Sequence, residues 1–339
     1  MKIVGISVLR NEADIVETFV RYHLQIFDHL IISNHRSVDA TAQILQSLQK
    51  EGLPLEVLDE TCLDLQQSRI MTGLLKKAMS DYNPDWVFPL DADEFIALPG
   101  RGTVRAVLEE LPQDRIIKVF YRSYVPLPSD DLQEPNILKR IQYRRTSENP
   151  QMGKILIPRS MAIEKRGIIA AGNHSFVKLK FGKQKQFPYA HSDKLILGHF
   201  PVRSAEQIMT KAFVTWLAIL AKPDKEPTEG LHVKLLYDRF VKNDKMHPEE
   251  LSDMALNYVL GKQPSILTPD ILVHDPLQPE QGEFELRFNA AYTANYLPVL
   301  ARMAEEFAET VAVLRREKVR NFSVSRLLSL LRHVKKHQR

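Results

Sequence analysis

The stretch Trp86-Val87-Phe88-Pro89-Leu90-Asp91-Ala92-Asp93-Glu94-Phe95 decides how the rest of the chain is read. It is an apolar run ending in three carboxylates within four positions, with Asn83-Pro84 before it and Pro99-Gly100 after it. An unbroken apolar run of this length, stopped by turn residues on both sides, describes a buried strand rather than a helix. The carboxylates then emerge at the strand's carboxyl end, where open α/β sheets hold their ligands. Like charges crowded there repel one another unless a cation or solvent offsets them. Two carboxylates one residue apart on a rigid strand suit a hard divalent cation that keeps some water and also grips phosphate oxygens. The competing description of a bare Asp-x-Asp is a solvated turn, and the surrounding chain has to choose.

Upstream, strand and helix patterns alternate. Residues 2–9 are rich in apolar and β-branched side chains, and Asn11-Glu12-Ala13-Asp14 opens an amphipathic helix with acids in its first turn. Strands follow at 29–32 and 54–58, helices from Asp39 and over 65–79, and the series closes on the strand that ends at Asp91. This is the pattern of right-handed βαβ units around a parallel sheet. The polar junctions Arg10-Asn11-Glu12, Asn34 to Asp39, Gln67 to Arg69 and Asp91 to Glu94 then share one sheet edge. That convergence is what a bare Asp-x-Asp lacks.

Downstream of Pro99 the spacing predicts a short helix over 103–111 and strands at 116–121, 154–158, 161–164, 176–181 and 194–199. A proline-rich loop over 124–136 has the composition of an acceptor-side lid. Ser204 and Gln207 form a capping-box pattern that starts a helix running to about residue 221. From residue 231 the chain reads as mostly helical, including 292–318 and 324–335.

Composition narrows the class. With 339 residues, 44% hydrophobic and 26% charged, the chain is an ordinary globular protein with a real core. Its single cysteine, Cys62, excludes an internal disulfide and any cysteine-based metal cluster. The start lacks the pattern of a signal peptide, and no apolar stretch is long enough for a membrane span, so a cytoplasmic location is expected. Residues 315–339 carry nine Lys/Arg and one Glu, so the rest of this +4 chain has a net charge of −4. A mildly acidic body argues against nucleic-acid binding. The tail over 324–336 spaces apolar residues helically with basic ones opposite, a pattern that either docks on the protein or lies peripherally at the inner face of an anionic membrane.

Four segments together resemble the family 2 glycosyltransferases: Val8-Leu9-Arg10-Asn11-Glu12, Asn34-His35-Arg36-Ser37-Val38-Asp39-Ala40-Thr41, Gln67-Ser68-Arg69 and Leu90-Asp91-Ala92-Asp93-Glu94-Phe95. The resemblance covers about the first third of the chain. It implies an α/β GT-A fold, Rossmann-like, with a mostly parallel central sheet flanked by helices and here a C-terminal helical extension. The implied division is a catalytic domain over 1–222 and a mainly helical extension over 223–339. Within the first, 1–100 would bind the nucleotide sugar and 101–222 the acceptor. The implied activity is transfer of a sugar from a nucleoside-diphosphate donor, a UDP-sugar being the expectation, to a glycan or lipid-linked acceptor hydroxyl, with inversion and a divalent Mn²⁺ or Mg²⁺.

Carried over residue by residue, the resemblance gives Asn11, Glu12, Asn34, Arg69 and Asp91 to the nucleotide sugar. It gives Asp93, with Asp91 beside it, to the metal. His199, in Leu197-Gly198-His199-Phe200, resembles the family's His-aromatic element and would add a ligand that favours Mn²⁺. The acidic pair that usually supplies the base has no counterpart, leaving Asp193, Glu164, Asp130 and Asp131 unranked as candidates, with His174 because imidazole accepts a proton near neutral pH. Two other functions stay in view. A nucleotidyltransferase needs a glycine-rich phosphate loop after the first strand, which Gly5-Ile6-Ser7-Val8-Leu9-Arg10 does not provide. A non-catalytic nucleotide-sugar-binding or scaffolding protein of the same fold would not need the missing base.

Overall fold

The computed structural model describes residues 1–60, 66–148, 153–164, 167–180, 183–220, 231–242, 246–258 and 271–288, with residues 304, 307, 311 and 313. Cys62, most of the helix expected over 292–318 and all of the basic helix over 324–335 lie outside the described residues. Among the described residues no helix is long and apolar enough to cross a membrane.

β1 (Ile3–Leu9), β2 (His29–His35), β3 (Leu55–Glu60) and β4 (Trp86–Pro89) alternate with α1 (Val16–His23), α2 (Thr41–Lys50) and α3 (Gln67–Asp81). β1 pairs in parallel with β2 and β4, and β2 with β3. Every residue of β1 is buried, as its continuous apolar sequence demands of a strand covered on both faces. Gly5 lets Phe27 close against that strand, because a Cβ there would stand 2.5 Å from the ring.

The opening run is not one strand. After β4 the chain turns through Ala92 and Asp93, and β5 (Glu94–Ala97) departs in a new direction. α4 (Val104–Glu110), β6 (Ile116–Ser123), α5 (Ile137–Arg140), β7 (Tyr143–Arg145) and β8 (Gly153–Pro158) follow. The expected strand over 161–164 is instead the helical turn α6 (Arg159–Ala162), which Pro158 starts from an extended conformation. β9 (Gly167–Ile169), β10 (Phe176–Lys180) and β11 (Lys183–Gln186) make a small antiparallel sheet. β12 (Tyr189–His199) returns to the main sheet and leads into α7 (Ala205–Leu220), α8 (Leu231–Val241) and α9 (Pro248–Asn257). The C-terminal region, expected to be mostly helical, also holds a strand between its expected helices, β13 (Leu272–His274), antiparallel to β7.

The main sheet has eight strands in the order β3-β2-β1-β4-β8-β6-β12-β5. All run in one direction except β8 and β5, which are antiparallel to their neighbours. It is a mostly parallel, Rossmann-like sheet flanked by helices, with further helices after it. One core joins α1, α2 and α4 to one face, through Phe19, Leu45 and Leu108 among others. A second core packs α3 and the small sheet on the other, through Met71, Leu74 and Phe176. The carboxyl ends of β1, β2, β4, β6 and β12 therefore open on one edge, and the two expected halves share one continuous sheet.

Candidate active site

The edge is built first from backbone. Beyond β1 the chain passes through Asn11 at a φ of 58°, a left-handed conformation in which asparagine is among the better tolerated residues. The N–H of Asn11 donates to Ser37 Oγ, that of Glu12 to Thr41 Oγ1 and that of Ala13 to Asp39 Oδ2. Val38 N–H donates back to Asn11 Oδ1 at 2.8 Å. The first and second polar junctions are thus laced together, and Asp39 serves both the start of α2 and the β1 loop.

The loop after β1 floors an open cleft of about 520 Å³, which also takes in Asp91, Asp93, Glu94, Tyr121, Lys154, His174 and His199. At its centre is a buried ammonium. Lys154 Nζ donates to Asp91 Oδ2 at 2.5 Å and to Gly172 O at 2.6 Å, and lies 3.1 Å from Glu94 Oε1. Its side chain is only 2% exposed, so these acceptors replace its water. Glu94 is held by Tyr121 Oη at 2.7 Å and by the Asp91 N–H at 3.0 Å. Burial, with Asp91 and Asp93 alongside, still pushes Glu94 up to about 8 against the pull of Lys154. Gln67 and Asn173 both donate to Asp91 Oδ1, which ties α3 and the turn before β10 to the same carboxylate.

A second buried cation lies across the cleft. Arg203 is fully buried and donates to both Asp14 oxygens, at 2.6 and 2.9 Å, and to Glu12 at 2.6 Å. Burial nonetheless pushes Glu12 up to about 7. Nearly two turns into α7, Lys211 reaches Asp93 Oδ2 at 3.4 Å while remaining 37% exposed. Burial works against the Asp93 charge, yet Lys211 and Arg203 hold that carboxyl well below the usual range. Five carboxylates (Glu12, Asp14, Asp91, Asp93 and Glu94) thus share three cations, Lys154, Arg203 and Lys211. The raised values of Glu12 and Glu94 come first from burial, with the neighbouring carboxylates adding to it.

Asp93, Glu94 and His199 each offer a ligand atom within 4.8 Å of the others. Glu94 and His199 face each other across the β5–β12 pair. His199 Nδ1 is buried without a hydrogen-bond partner, and Nε2 lies 4.0 Å from Asp93 Oδ1. Burial pushes the imidazole down to about 4, so it is neutral and able to ligate. An unused neutral imidazole nitrogen beside two carboxylates fits a divalent cation, and the nitrogen donor favours Mn²⁺.

Of the residues expected from sequence, Asn11, Glu12, Asp91, Asp93, His174 and His199 line this cleft. His174 Nδ1 bonds Gly153 O at 2.7 Å, and a carbonyl can only accept, so the proton is on Nδ1 and Nε2 carries a lone pair. Other expected residues are elsewhere. Asn34 is buried behind the loops, donating to Asp59 and accepting from the Ser37 N–H. Arg69 is half-exposed on α3, paired with Glu60 and Gln66. Asp193 is exposed on β12 and outside the cleft lining, as is the proline-rich loop, whose Pro126 carbonyl accepts from Ser252 of α9. Sequence reasoning missed Lys154, Tyr121, Arg203 and Lys211. The only signal was a lysine in the otherwise apolar run Lys154-Ile155-Leu156-Ile157, an unusual charge for a central strand.

No family model and no curated protein sequence matches the chain. Solved structures with a similar course include S. aureus TarS in complex with UDP-GlcNAc, 13% identical at a TM-score of 0.35 over 76% of this chain and 80% of that one. The mannosyltransferase PcManGT from Pyrobaculum calidifontis, in complex with GDP-Man and Mn²⁺, is 14% identical at a TM-score of 0.38 over 77% and 76%. HddC from Yersinia pseudotuberculosis is 14% identical at 0.33 over 59% and 95%. Likeness at this level carries nothing about chemistry, which rests on the cleft itself.

Proposed function

We propose that the chain is a metal-assisted glycosyltransferase that moves a sugar from a nucleoside diphosphate to an acceptor hydroxyl with inversion. The observation that carries this reading is the buried Asp93–Glu94–His199 group at the carboxyl edge of the sheet, beside the laced loop after β1. Asp93 and His199 would hold the cation, with Glu94 braced behind them. Bound there, a divalent cation neutralises the charge that develops on the diphosphate leaving group.

This chain's own residues supply the rest. Asn11 and Glu12 bound the end of the cleft where a nucleoside would lie, and a UDP-sugar is the donor proposed. Lys211, the exposed cation of α7, is placed to meet phosphate oxygens. Lys154 fixes Asp91 so that its carboxylate cannot swing away from the donor. His174, neutral because burial lowers its pKa and with Nε2 free of the Gly153 bond, would take the proton of the acceptor hydroxyl.

Donor hydrolysis with Mn²⁺, comparing the wild type with Asp93→Ala, tests the reading. Turnover of a UDP-sugar that is lost in the variant, together with the Mn²⁺-induced rise in melting temperature, supports it. Equal turnover in both proteins would remove the metal assignment. A second reading, donor binding without transfer, has one observation in its favour: every carboxylate lining the cleft is already engaged by an internal cation. Nucleotide affinity without hydrolysis or transfer of any donor would select it.

A further inference from the structure

On the face of the central sheet formed by β6 and β12 stands a row of rings used by neither the cores nor the cleft. Phe120 and His191 stack with centroids 4.7 Å apart and planes inclined by 14°. Tyr189 meets His191 edge-on at 5.5 Å, and Lys118 Nζ lies 4.0 Å from the centre of the Tyr189 ring. Strand periodicity explains the grouping. Lys118 and Phe120 alternate onto one face of β6, Tyr189 and His191 onto the same face of β12, and His191 is the register partner of Lys118. Tyr189 is 46% exposed, His191 is exposed and Phe120 is half-buried, so aromatic surface is left facing water.

The row abuts β8, the strand whose Lys154 lines the cleft. Phe120 is the register partner of Gly153, a position without a side chain, where a Cβ would stand 2.0 Å from Val119 O. The Gly153 carbonyl is the group that His174 Nδ1 bonds. The rings therefore adjoin, across this closely packed glycine, the strand whose carbonyl holds the imidazole that lines the cleft, and the Lys118 charge acts on that imidazole.

We propose that Phe120, His191 and Tyr189, with Lys118, form an acceptor subsite for a carbohydrate chain whose terminal hydroxyl reaches His174. A pyranose presents a face of C–H groups and a rim of hydroxyls. Aromatic rings match the face, while the tyrosine hydroxyl, the imidazole nitrogen and the ammonium match the rim. An acyl chain or an apolar helix would call for contiguous aliphatic surface, and single-stranded nucleic acid for a row of cations beside the rings. Spaced rings edged by a phenol, an imidazole and an ammonium fit a sugar chain best. The assignment rests on the transferase reading for its direction towards His174.

The test uses the full chain with Mn²⁺ and UDP, and a mixture of short neutral, amino-sugar and uronate oligosaccharides detected by saturation-transfer NMR. At least one oligosaccharide is expected to bind, about tenfold more weakly in Tyr189→Ala and in His191→Ala, a loss of the size aromatic contacts supply. UDP affinity measured on the same samples reports an intact cleft. Ile163→Ser, at an exposed position outside the row, should match the wild type in both measurements. Unchanged oligosaccharide affinity in both ring variants would overturn the proposal. So would a chain that binds UDP and Mn²⁺ but no oligosaccharide, or one whose ring variants lose RNA or anionic vesicles instead. Oligosaccharide binding through Tyr189 in a chain that binds no nucleotide would sink the transferase reading and leave the carbohydrate site standing.

Discussion

The two walls of the cleft are held in different ways. On the strand wall, Asp91 and Glu94 are fixed by Lys154, Tyr121, Gln67, Asn173 and a backbone N–H, most of them buried. On the helix wall, Lys211 meets Asp93 at 3.4 Å with much of its side chain in water. A wall with several short bonds per carboxylate presents a preorganised charge distribution. A long side chain held by one long ion pair and a ring 5.7 Å away can move to a new partner at little cost. The difference separates the part of the site that must not move when substrate arrives from the part that can follow it.

The sharpest way to break this contrast is at Lys154. In Lys154→Met two buried carboxylates lose their shared cation, and unfolding in urea should show a loss of about 3–5 kcal/mol. A loss below about 1 kcal/mol, the range of an exposed pair, would erase the distinction between the walls. Next comes His174, beside the strand wall. His174→Asn should slow transfer by about 10²–10⁴-fold while the melting temperature stays put. In the wild type only neutral imidazole accepts the proton, so the rate should fall as pH drops through a value below the ordinary 6.5.

A third, smaller effect concerns what lies behind the strand wall. His23 is fully buried, stacked on Phe95 of β5, with Nδ1 bonded to Phe19 O, and burial pushes it down to about 3. The unfolded chain takes up a proton near 6.5 that the folded one refuses, so stability is full above that pH and is lost as pH falls towards the folded value. Between pH 6.5 and about 5 this amounts to roughly 2 kcal/mol. Urea titrations of the wild type and His23→Gln would show the pH slope flattened in the variant, and parallel slopes would refute the assignment. The smallest change belongs to the helix wall. Lys211→Gln should alter stability by less than about 1 kcal/mol yet weaken UDP binding about tenfold by calorimetry.

Much of the donor side was legible because its signals are local. Continuous apolar strands, helices with one buried face and polar junctions at each carboxyl end all sit within a few residues of one another. The Asp91–Glu94 segment and the loop after β1 could be placed on one edge from those signals, and His199 joined them only through its resemblance to a His-aromatic element. Lys154, Arg203 and Lys211 could not, because each owes its meaning to partners far away in the chain. A lysine is read as a surface residue until the fold seals it against Asp91, 63 positions upstream. The same limit hid β5. Its antiparallel partner is the end of β12, and no nearby residue announces that the run from Trp86 to Phe95 must break. The helical turn α6 was misread because apolar residues after Pro158 fit a short strand as well as a turn.

Apart from Arg10, the charges that line or brace the cleft are segregated along the chain. Glu12, Asp14, Asp91, Asp93 and Glu94 all precede residue 95, whereas Lys154, Arg203 and Lys211 all follow residue 153. A nascent chain emerging from the ribosome would thus expose the acids long before their counter-ions are made. The first hundred residues, however regular their βαβ pattern, cannot close their carboxyl edge alone. Completing the active site therefore needs Lys154, Arg203 and Lys211 to reach the acidic edge laid down by the first hundred residues.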